Sequence, residues 1–324
     1  MKICFLTNNI STKNEDLTTY DLALSAFKRG HEIYFGGVAD IYSQDSAILG
    51  NLKKLSLNEF PKIKKRSDLV RVIESSSFGS FDLSPFDVLF LRHKYKKQQK
   101  ISEDSHKTAR EYAFHLSERG VFVLNDPKYL PFSSSKLATI GLEKSILAHK
   151  QLASSKFDKL YSFCEKDLKF EGVLKPVSGS GGGDIFFIEK KNLSNTLKNL
   201  LEKGQVVAQS FIPNHGDKRI LVLNGESIGW YMRVAPEAGG LNNIHAGGKA
   251  VKCDLDERDL KILNAVKPRL KKYGMYFVGV DILGGYLSEI NSENPGGTIR
   301  CDSVGGFNTR EKVVEFLENK VKKK

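Results

Sequence analysis

The chain has 324 residues, longer than one hydrophobic core usually supports, so two or three packed units are expected. Hydrophobic content of 40% with 27% charged residues is that of an ordinary globular chain, and the apolar runs are too short for a signal peptide or a membrane span. The net charge of +12 suits an anionic partner, yet the basic runs at Lys62–Arg66, Lys94–Lys100 and Lys320–Lys324 lack interleaved aromatics, which favours phosphate-bearing small molecules over nucleic acid.

From the N-terminus, KICFLT reads as a buried strand, Leu17 to Arg29 as an amphipathic helix closed by Gly30, and HEIYFGGV as a second strand. This β-α-β opening predicts a parallel sheet. Its first turn, Thr7-Asn8-Asn9-Ile10, has no GxGxxG and gives no support for a dinucleotide. Phe86–Arg92 is a further strand, Lys107–Glu118 a helix and Val121–Leu124 a strand, with a domain boundary near Pro127. Cys4, Cys164, Cys253 and Cys301 are scattered without a CxxC pair, which argues against disulfides and zinc and for a reducing, cytoplasmic setting. The seven histidines show no metal-binding spacing.

A second unit, residues 127–205, centres on EGVLKPVSGSGGGDIFFIE, in which a strand carrying Lys175 leads into a Gly-rich turn from Gly179 to Gly183. The turn joins strand to strand and lacks GK[ST], so it is no Walker loop, but its backbone N–H groups can face phosphate oxygens and Lys175 can reach them. The third unit, residues 206–324, opens on VVAQSFIP and continues through Asp217-Lys218-Arg219, ILVLNG and the strand carrying Trp230, Met232 and Arg233. The loop from Ala235 to Gly248 has glycines near both ends and polar Asn242, Asn243 and His245 between them, the composition of a mobile lid. A helix from Leu255 to Tyr273 follows.

The stretch MYFVGVDILGGYLSEINSENPGGTIR, from Met275 to Arg300, reads as a buried hairpin turning at Gly284-Gly285. Asp281, Glu289 and Asn291 interrupt it. Buried carboxylates need positive compensation, most economically a metal ion, and two carboxylates with an amide oxygen suit Mg²⁺. A strict two-residue turn would pair Val280 with Glu289 and put Asp281 on the wrong face. A bulge or a three-residue connection is therefore required to bring all three into one site.

The order of these parts resembles the ATP-grasp superfamily and, most closely, bacterial glutathione synthetase. The resemblance runs through NDP, SSKL, LKP with the Gly-rich loop, AQSFIP, GDKR, the Arg233 strand, NIHAGG and VGVDILGGYLSEIN. It implies an α/β ATP-grasp fold behind an N-terminal parallel-sheet domain, residues 1–126, that binds substrate. It implies further that Lys136, Lys175 and the loop glycines Gly179, Gly181, Gly182 and Gly183 contact ATP phosphates, that Gln209, Ser210, Phe211 and Ile212 meet adenine, and that Asp217 lies beside the nucleotide. Arg219 and Arg233 would hold a carboxylate or acyl-phosphate, as catalytic and substrate-binding residues. Asn243, Asn294, Gly296 and Gly297 would contact substrate, and Asp281, Glu289 and Asn291 would hold Mg²⁺, with Mn²⁺ as the alternative.

The implied activity is ligation of γ-glutamylcysteine to glycine through an acyl-phosphate, with release of ADP and phosphate, in glutathione biosynthesis. The implied partners are small-molecule substrates, with neither nucleic acid nor membrane, and a homo-oligomer is left open. The departures fall on the substrate side: His93-Lys94-Tyr95-Lys96 replaces Lys-Asp-Pro-Pro, Leu241 replaces a lid arginine, Ser292 to Gly297 replaces a Val-Thr-Ser-Pro-Thr segment, and Ala148 to Cys164 lacks the usual Pro-x-Thr strand. A different amino-acid or peptide ligase, or a catalytically silent nucleotide-binding relative, is the alternative.

Overall fold

The computed structural model describes residues 1–8, 10, 18–56, 58, 62–94, 101–130, 136–147, 150–177, 185–236 and 247–322. The first unit comprises β1 (Lys2–Thr7), α1 (Thr18–Lys28), β2 (Glu32–Gly37), β3 (Ile41–Gln44), β4 (Ala47–Leu55), α2 (Arg66–Ser75), β5 (Phe78–Asp82), β6 (Val88–Arg92), α3 (Glu103–Glu118) and β7 (Phe122–Leu124). They form a seven-stranded sheet of order β3-β4-β2-β1-β6-β7, with β5 on β4. Its centre is parallel: β1 pairs with β2 and β6, and β6 with β7. Alternation along β1 sorts the two faces. Ile3 and Phe5 join Tyr20, Leu22 and Phe27 of α1, while Cys4 and Leu6 join the cluster holding Ala109, Ala113 and Leu116 of α3.

The central unit contains β8 (Gln151–Ser154), α4 (Phe157–Ser162), β9 (Gly172–Pro176), β10 (Phe186–Phe187), α5 (Leu193–Leu201) and β11 (Val206–Ser210), in a sheet of order β10-β9-β11-β8. The strand β11 is antiparallel to both β8 and β9. Its hydrogen bonds place it inside the central sheet and not at the start of the third unit, where the sequence boundary at 205/206 had put it. The alternation in VVAQS shows that it is a strand; it carries no information about which sheet receives it.

The third unit contains β12 (Asp217–Leu223), β13 (Glu226–Val234), β14 (Lys249–Val251), α6 (Glu257–Lys272), β15 (Phe277–Leu283), β16 (Tyr286–Asn291), α7 (Thr298–Gly305) and α8 (Thr309–Val321). Its sheet runs β14-β13-β12-β15-β16. The α6 start is a capping box in which Asp256 accepts from the Asp259 N–H at 2.9 Å and Asp259 from the Asp256 N–H at 2.9 Å.

Two of the three hydrophobic clusters run through both the first and third units. One joins Leu6, Leu89 and Leu116 to Val280, Ile262 and Leu287; the other joins Phe5, Phe35 and Phe90 to Leu221, Phe277 and Val314. The central unit keeps its own cluster, built on Leu160, Leu174, Leu197, Val206 and Ala208. The carboxyl ends of the parallel strands thus face a third unit to which they are firmly packed.

Candidate active site

The site grows from the β15–β16 hairpin. Gly284 and Gly285 take φ of +55° and +78°, the two positive values that a tight two-residue hairpin turn demands. The first pairs are Leu283 with Tyr286 and Ile282 with Leu287, after which the register shifts and Asp281 faces Glu289. Ser288 is the extra residue of this bulge. Asp281, Glu289 and Asn291 consequently share one face of the sheet, by the bulge that the alternation required.

The neighbouring strands place charges on that same face. Arg219 lies opposite Asp281 on β12, and Asp217 lies opposite Arg233 on β13. Arg219 donates from Nη2 to Asp281 Oδ2 at 2.9 Å and, from Nε, to Oδ1 of the same carboxylate; its Nη1 donates to the Gly296 carbonyl at 3.1 Å. Arg233 donates from Nε to Asp217 Oδ1 at 3.0 Å and from Nη2 to Asp217 Oδ2, and that Nη2 lies 3.1 Å from Asp281 Oδ2. Asp217, Arg233 and Asp281 are all buried.

Burial alone would raise the Asp281 pKa, but Arg219 and Arg233 outweigh it and hold the carboxyl below its ordinary value. Asp217 goes the other way: burial, aided by the charge of Asp281, outweighs its contact with Arg233 and raises its pKa. Both guanidiniums resist the pull of burial because Asp281 lies against them, and their pKa values rise. A metal ion is not the sole source of positive charge that Asp281 can have. Two arginines compensate it, drawn from strands distant in sequence.

The donor set still fits a hard cation. Asn291 donates its amide N–H to Asp281 Oδ2 at 3.1 Å, and its carbonyl oxygen, with the carboxylates of Asp281 and Glu289, is of the oxygen type that Mg²⁺ takes. Among the described residues no three His, Cys, Asp or Glu side chains gather in a metal-binding group.

The lysines approach from the central unit and its linker. Lys175 on β9 has its pKa pushed down to about 8, first by burial and then by the neighbouring charge of Lys136, with Glu289 pulling the other way. Lys136 opens a short 3-10 turn, Lys136–Thr139, and donates its N–H to the Val177 carbonyl at 3.4 Å. The three side chains therefore bring the linker, the central sheet and the hairpin within electrostatic reach of one another.

Gln209 and Ser210 end β11, and the Ser210 N–H donates to the Lys150 carbonyl at 3.0 Å. Phe211 is 43% exposed and lies 5.8 Å from Phe187, an exposed apolar pair beside the route to the hairpin turn. Ile212 reaches that turn, where a Cβ on Gly284 would come within 2.5 Å of its Cγ2.

Asn294, Gly296 and Gly297 lie on a segment that crosses to the first unit. Glu293 pairs with Arg110 at 3.2 Å and Lys94 at 4.0 Å, and the Gly297 N–H donates to Thr18 Oγ1 at 3.1 Å. Asn125, buried after β7, donates to the carbonyls of Phe277 at 2.7 Å and Ser292 at 2.8 Å. Sequence reading did not single out Asn125, Thr18 or Arg110, although a polar residue directly after a buried strand, as in NDP, is a signal for Asn125. Gly179, Gly181, Gly182, Gly183 and Asn243 lie outside the described residues, as does most of the expected lid.

Models of the prokaryotic glutathione synthetase N-terminal and ATP-grasp domains match residues 1–130 and 135–306. The glutathione synthetase of Synechococcus elongatus is 28% identical over 330 residues, covering 98% of both chains. That of Gloeobacter violaceus is 30% identical over 329 residues, covering 98% of this chain and 96% of the relative. Among solved structures, D-cycloserine synthetase DcsG superposes with a TM-score of 0.66 at 13% identity, covering 97% of this chain and 99% of that one. The ATP-grasp ligase PsnB, complexed with minimal precursor, Mg and ADP, gives 0.63 at 14% identity and 98% coverage of both. At such identities the structural likeness speaks for the ATP-grasp fold.

The quartet of paired charges generates a stability prediction. Asp281→Ala leaves Arg219 without its carboxylate and is expected to cost roughly 3–5 kcal/mol in urea unfolding, whereas the double change Asp281→Leu/Arg219→Met recovers most of that loss. Equal losses in the two variants would contradict the pairing.

Proposed function

Because the chain belongs to the prokaryotic glutathione synthetase family and is an ATP-dependent C–N ligase, we propose that it joins γ-glutamylcysteine to glycine, through an acyl-phosphate, with release of ADP and phosphate. The observation that carries this reading is the bulged hairpin, which aligns Asp281, Glu289 and Asn291 beside Arg219 and Arg233 and within electrostatic reach of Lys136 and Lys175.

In this reading Lys136 and Lys175, with Gly179, Gly181, Gly182 and Gly183, hold the ATP phosphates. Gln209 to Ile212 receive adenine, and Asp217 lies beside the nucleotide. Asp281, Glu289 and Asn291 hold Mg²⁺, which when bound supplies charge neutralisation at the phosphoryl oxygens. Arg219 and Arg233 are kept cationic and fixed in orientation by Asp281 and Asp217, so their positive field is in place before charge develops on the transferring phosphoryl group. A carboxylate oxygen attacks the γ-phosphorus and ADP leaves; the amine then attacks the acyl carbon, phosphate leaves and the amine gives up its proton. No protein nucleophile is required, so positioning and electrostatics carry the rate. Asn243 and the lid from Ala235 to Gly248 shield the acyl-phosphate from water, while Asn294, Gly296 and Gly297 contact substrate.

A second reading, ligation of a different amino-acid or peptide pair, is favoured by one observation. Glu293, in the segment that departs from the family pattern, is anchored on Lys94 and Arg110 of the first unit. In this reading the change falls on the substrate side and the nucleotide side is kept.

ADP release across a panel of donors and acceptors separates the two readings, with γ-glutamylcysteine plus glycine expected to be fastest. With the best pair, Arg233→Ala is expected to lower turnover about 10²- to 10³-fold, and Asn243→Ala by less. Near-normal turnover in Arg233→Ala would refute the role given to it. A pH dependence follows from Lys175. It loses its proton as pH rises through about 8, so ATP affinity should weaken above that pH in the wild type and much less in Lys175→Arg. Identical pH profiles would remove Lys175 from the phosphate site.

A further inference from the structure

At the carboxyl ends of β1 and β6 the parallel sheet changes direction: α1 carries the chain from β1 to β2 on one side, and β6 adds on the other. Ligands of open parallel sheets bind in the crevice at such a switch point. Asn8 spans it, donating from Nδ2 to the Lys94 carbonyl at 2.9 Å and accepting the Lys94 N–H on Oδ1 at 2.8 Å.

Arg92 stands at the end of β6 in the same row as Val88 and Phe90, which face α1. It is 3% exposed and donates from Nε to Thr19 Oγ1 at 3.1 Å, while its buried Nη1 has no hydrogen-bond partner among the described residues. Arg219 and Arg233 are paired with carboxylates. Arg92 is not: burial pushes its pKa down to about 9, and among the described residues no neighbouring carboxylate offsets that burial. A guanidinium in such a place is costly unless an anion joins it.

A second unsatisfied group lies on the facing segment. The Oδ1 of Asn294 is buried without a partner among the described residues. Its neighbours are anchored on both sides of Arg92, Glu293 on Lys94 and Gly297 on Thr18. A ligand that satisfies both groups offers a carboxylate to Arg92 and an N–H donor to Asn294, which is the chemistry of an amino-acid or peptide end. The Gly296 carbonyl accepts from Arg219, so this crevice adjoins the cluster assigned to the reacting carboxylate.

We propose that Arg92 binds the carboxylate of the substrate that does not react, with Asn294 Oδ1 accepting from an N–H of the same ligand. The inference rests on the ligase reading above. The spectator carboxylate belongs either to the donor or to the acceptor, and a binding cycle tells them apart.

Calorimetric titrations on the full chain, with a non-hydrolysable ATP analogue and Mg²⁺ present, compare wild type and Arg92→Met. The donor arm uses γ-glutamylcysteine against γ-aminobutyrylcysteine, which lacks the glutamyl carboxylate; the acceptor arm uses glycine against glycinamide. In one arm, removing the carboxylate is expected to weaken binding to wild type about tenfold or more and to Arg92→Met less than about twofold. The thermal midpoint of ligand-free Arg92→Met should equal or exceed that of wild type, because an unpaired buried cation is removed; a merely structural arginine would lower it. If Arg92→Met does not fold, Arg92→Lys keeps the charge without the planar fork and should show a reduced coupling. Equal losses in wild type and variant in both arms overturn the assignment. ADP release by the same wild-type preparation, assayed separately with ATP in place of the analogue, reports on the ligase reading, so turnover without coupling removes Arg92 alone.

Discussion

Four charges, the buried Arg233, Asp217 and Asp281 and the half-buried Arg219, sit on one face of a single sheet, and much of the site follows from the need to pair them. Each pair lies directly across a strand boundary, so pairing specifies the registers of β12 with β13 and with β15. A slip of one residue would turn every carboxylate away from its arginine and bury apolar side chains against charges. The bulge at Ser288 extends this registration to β16. It lets a tight Gly-Gly turn coexist with a same-face arrangement of Asp281, Glu289 and Asn291. Arg219 then carries the order outward, since its remaining N–H holds the Gly296 carbonyl and with it the segment that reaches Thr18 of the first unit.

The division of hydrophobic clusters gives the three units different standing. The first and third share two clusters, so the crevice at the ends of β1 and β6 and the charged face of the third sheet are held in one frame. The central unit, with a cluster of its own, brings Lys175 to that frame, and the linker brings Lys136. Among the described residues its buried apolar side chains form a cluster separate from the two that the other units share.

Much of this was legible in the residues. Alternation and a Gly-Gly turn led to the hairpin, and polar residues in an apolar strand led to Asp281, Glu289 and Asn291, together with the requirement for a bulge. The β-α-β opening likewise announced its parallel sheet. What escaped was pairing at long range. Residues 206–210 read as a strand, but membership of the central sheet depends on pairing with residues 30 to 38 positions away. The same is true of the arginine compensation of Asp281, which separates partners by 62 positions, and of Glu293 with Arg110, separated by 183. A sequence pattern reports which side chains share a face of one element; it does not report what the opposing element offers. Arg92 could be seen as the end of a buried strand, and only its surroundings reveal a cation without a counter-charge among the described residues.

The central claim is that a substrate carboxylate is phosphorylated beside Arg219 and Arg233 and that an amine then displaces the phosphate. The most direct measurement follows a heavy oxygen isotope placed in the cysteinyl carboxylate of γ-glutamylcysteine through one round of ligation with glycine. The account predicts that phosphate released with ADP carries one labelled oxygen, because the oxygen that attacked the γ-phosphorus leaves with it. Amide formation with unlabelled phosphate would contradict the acyl-phosphate route.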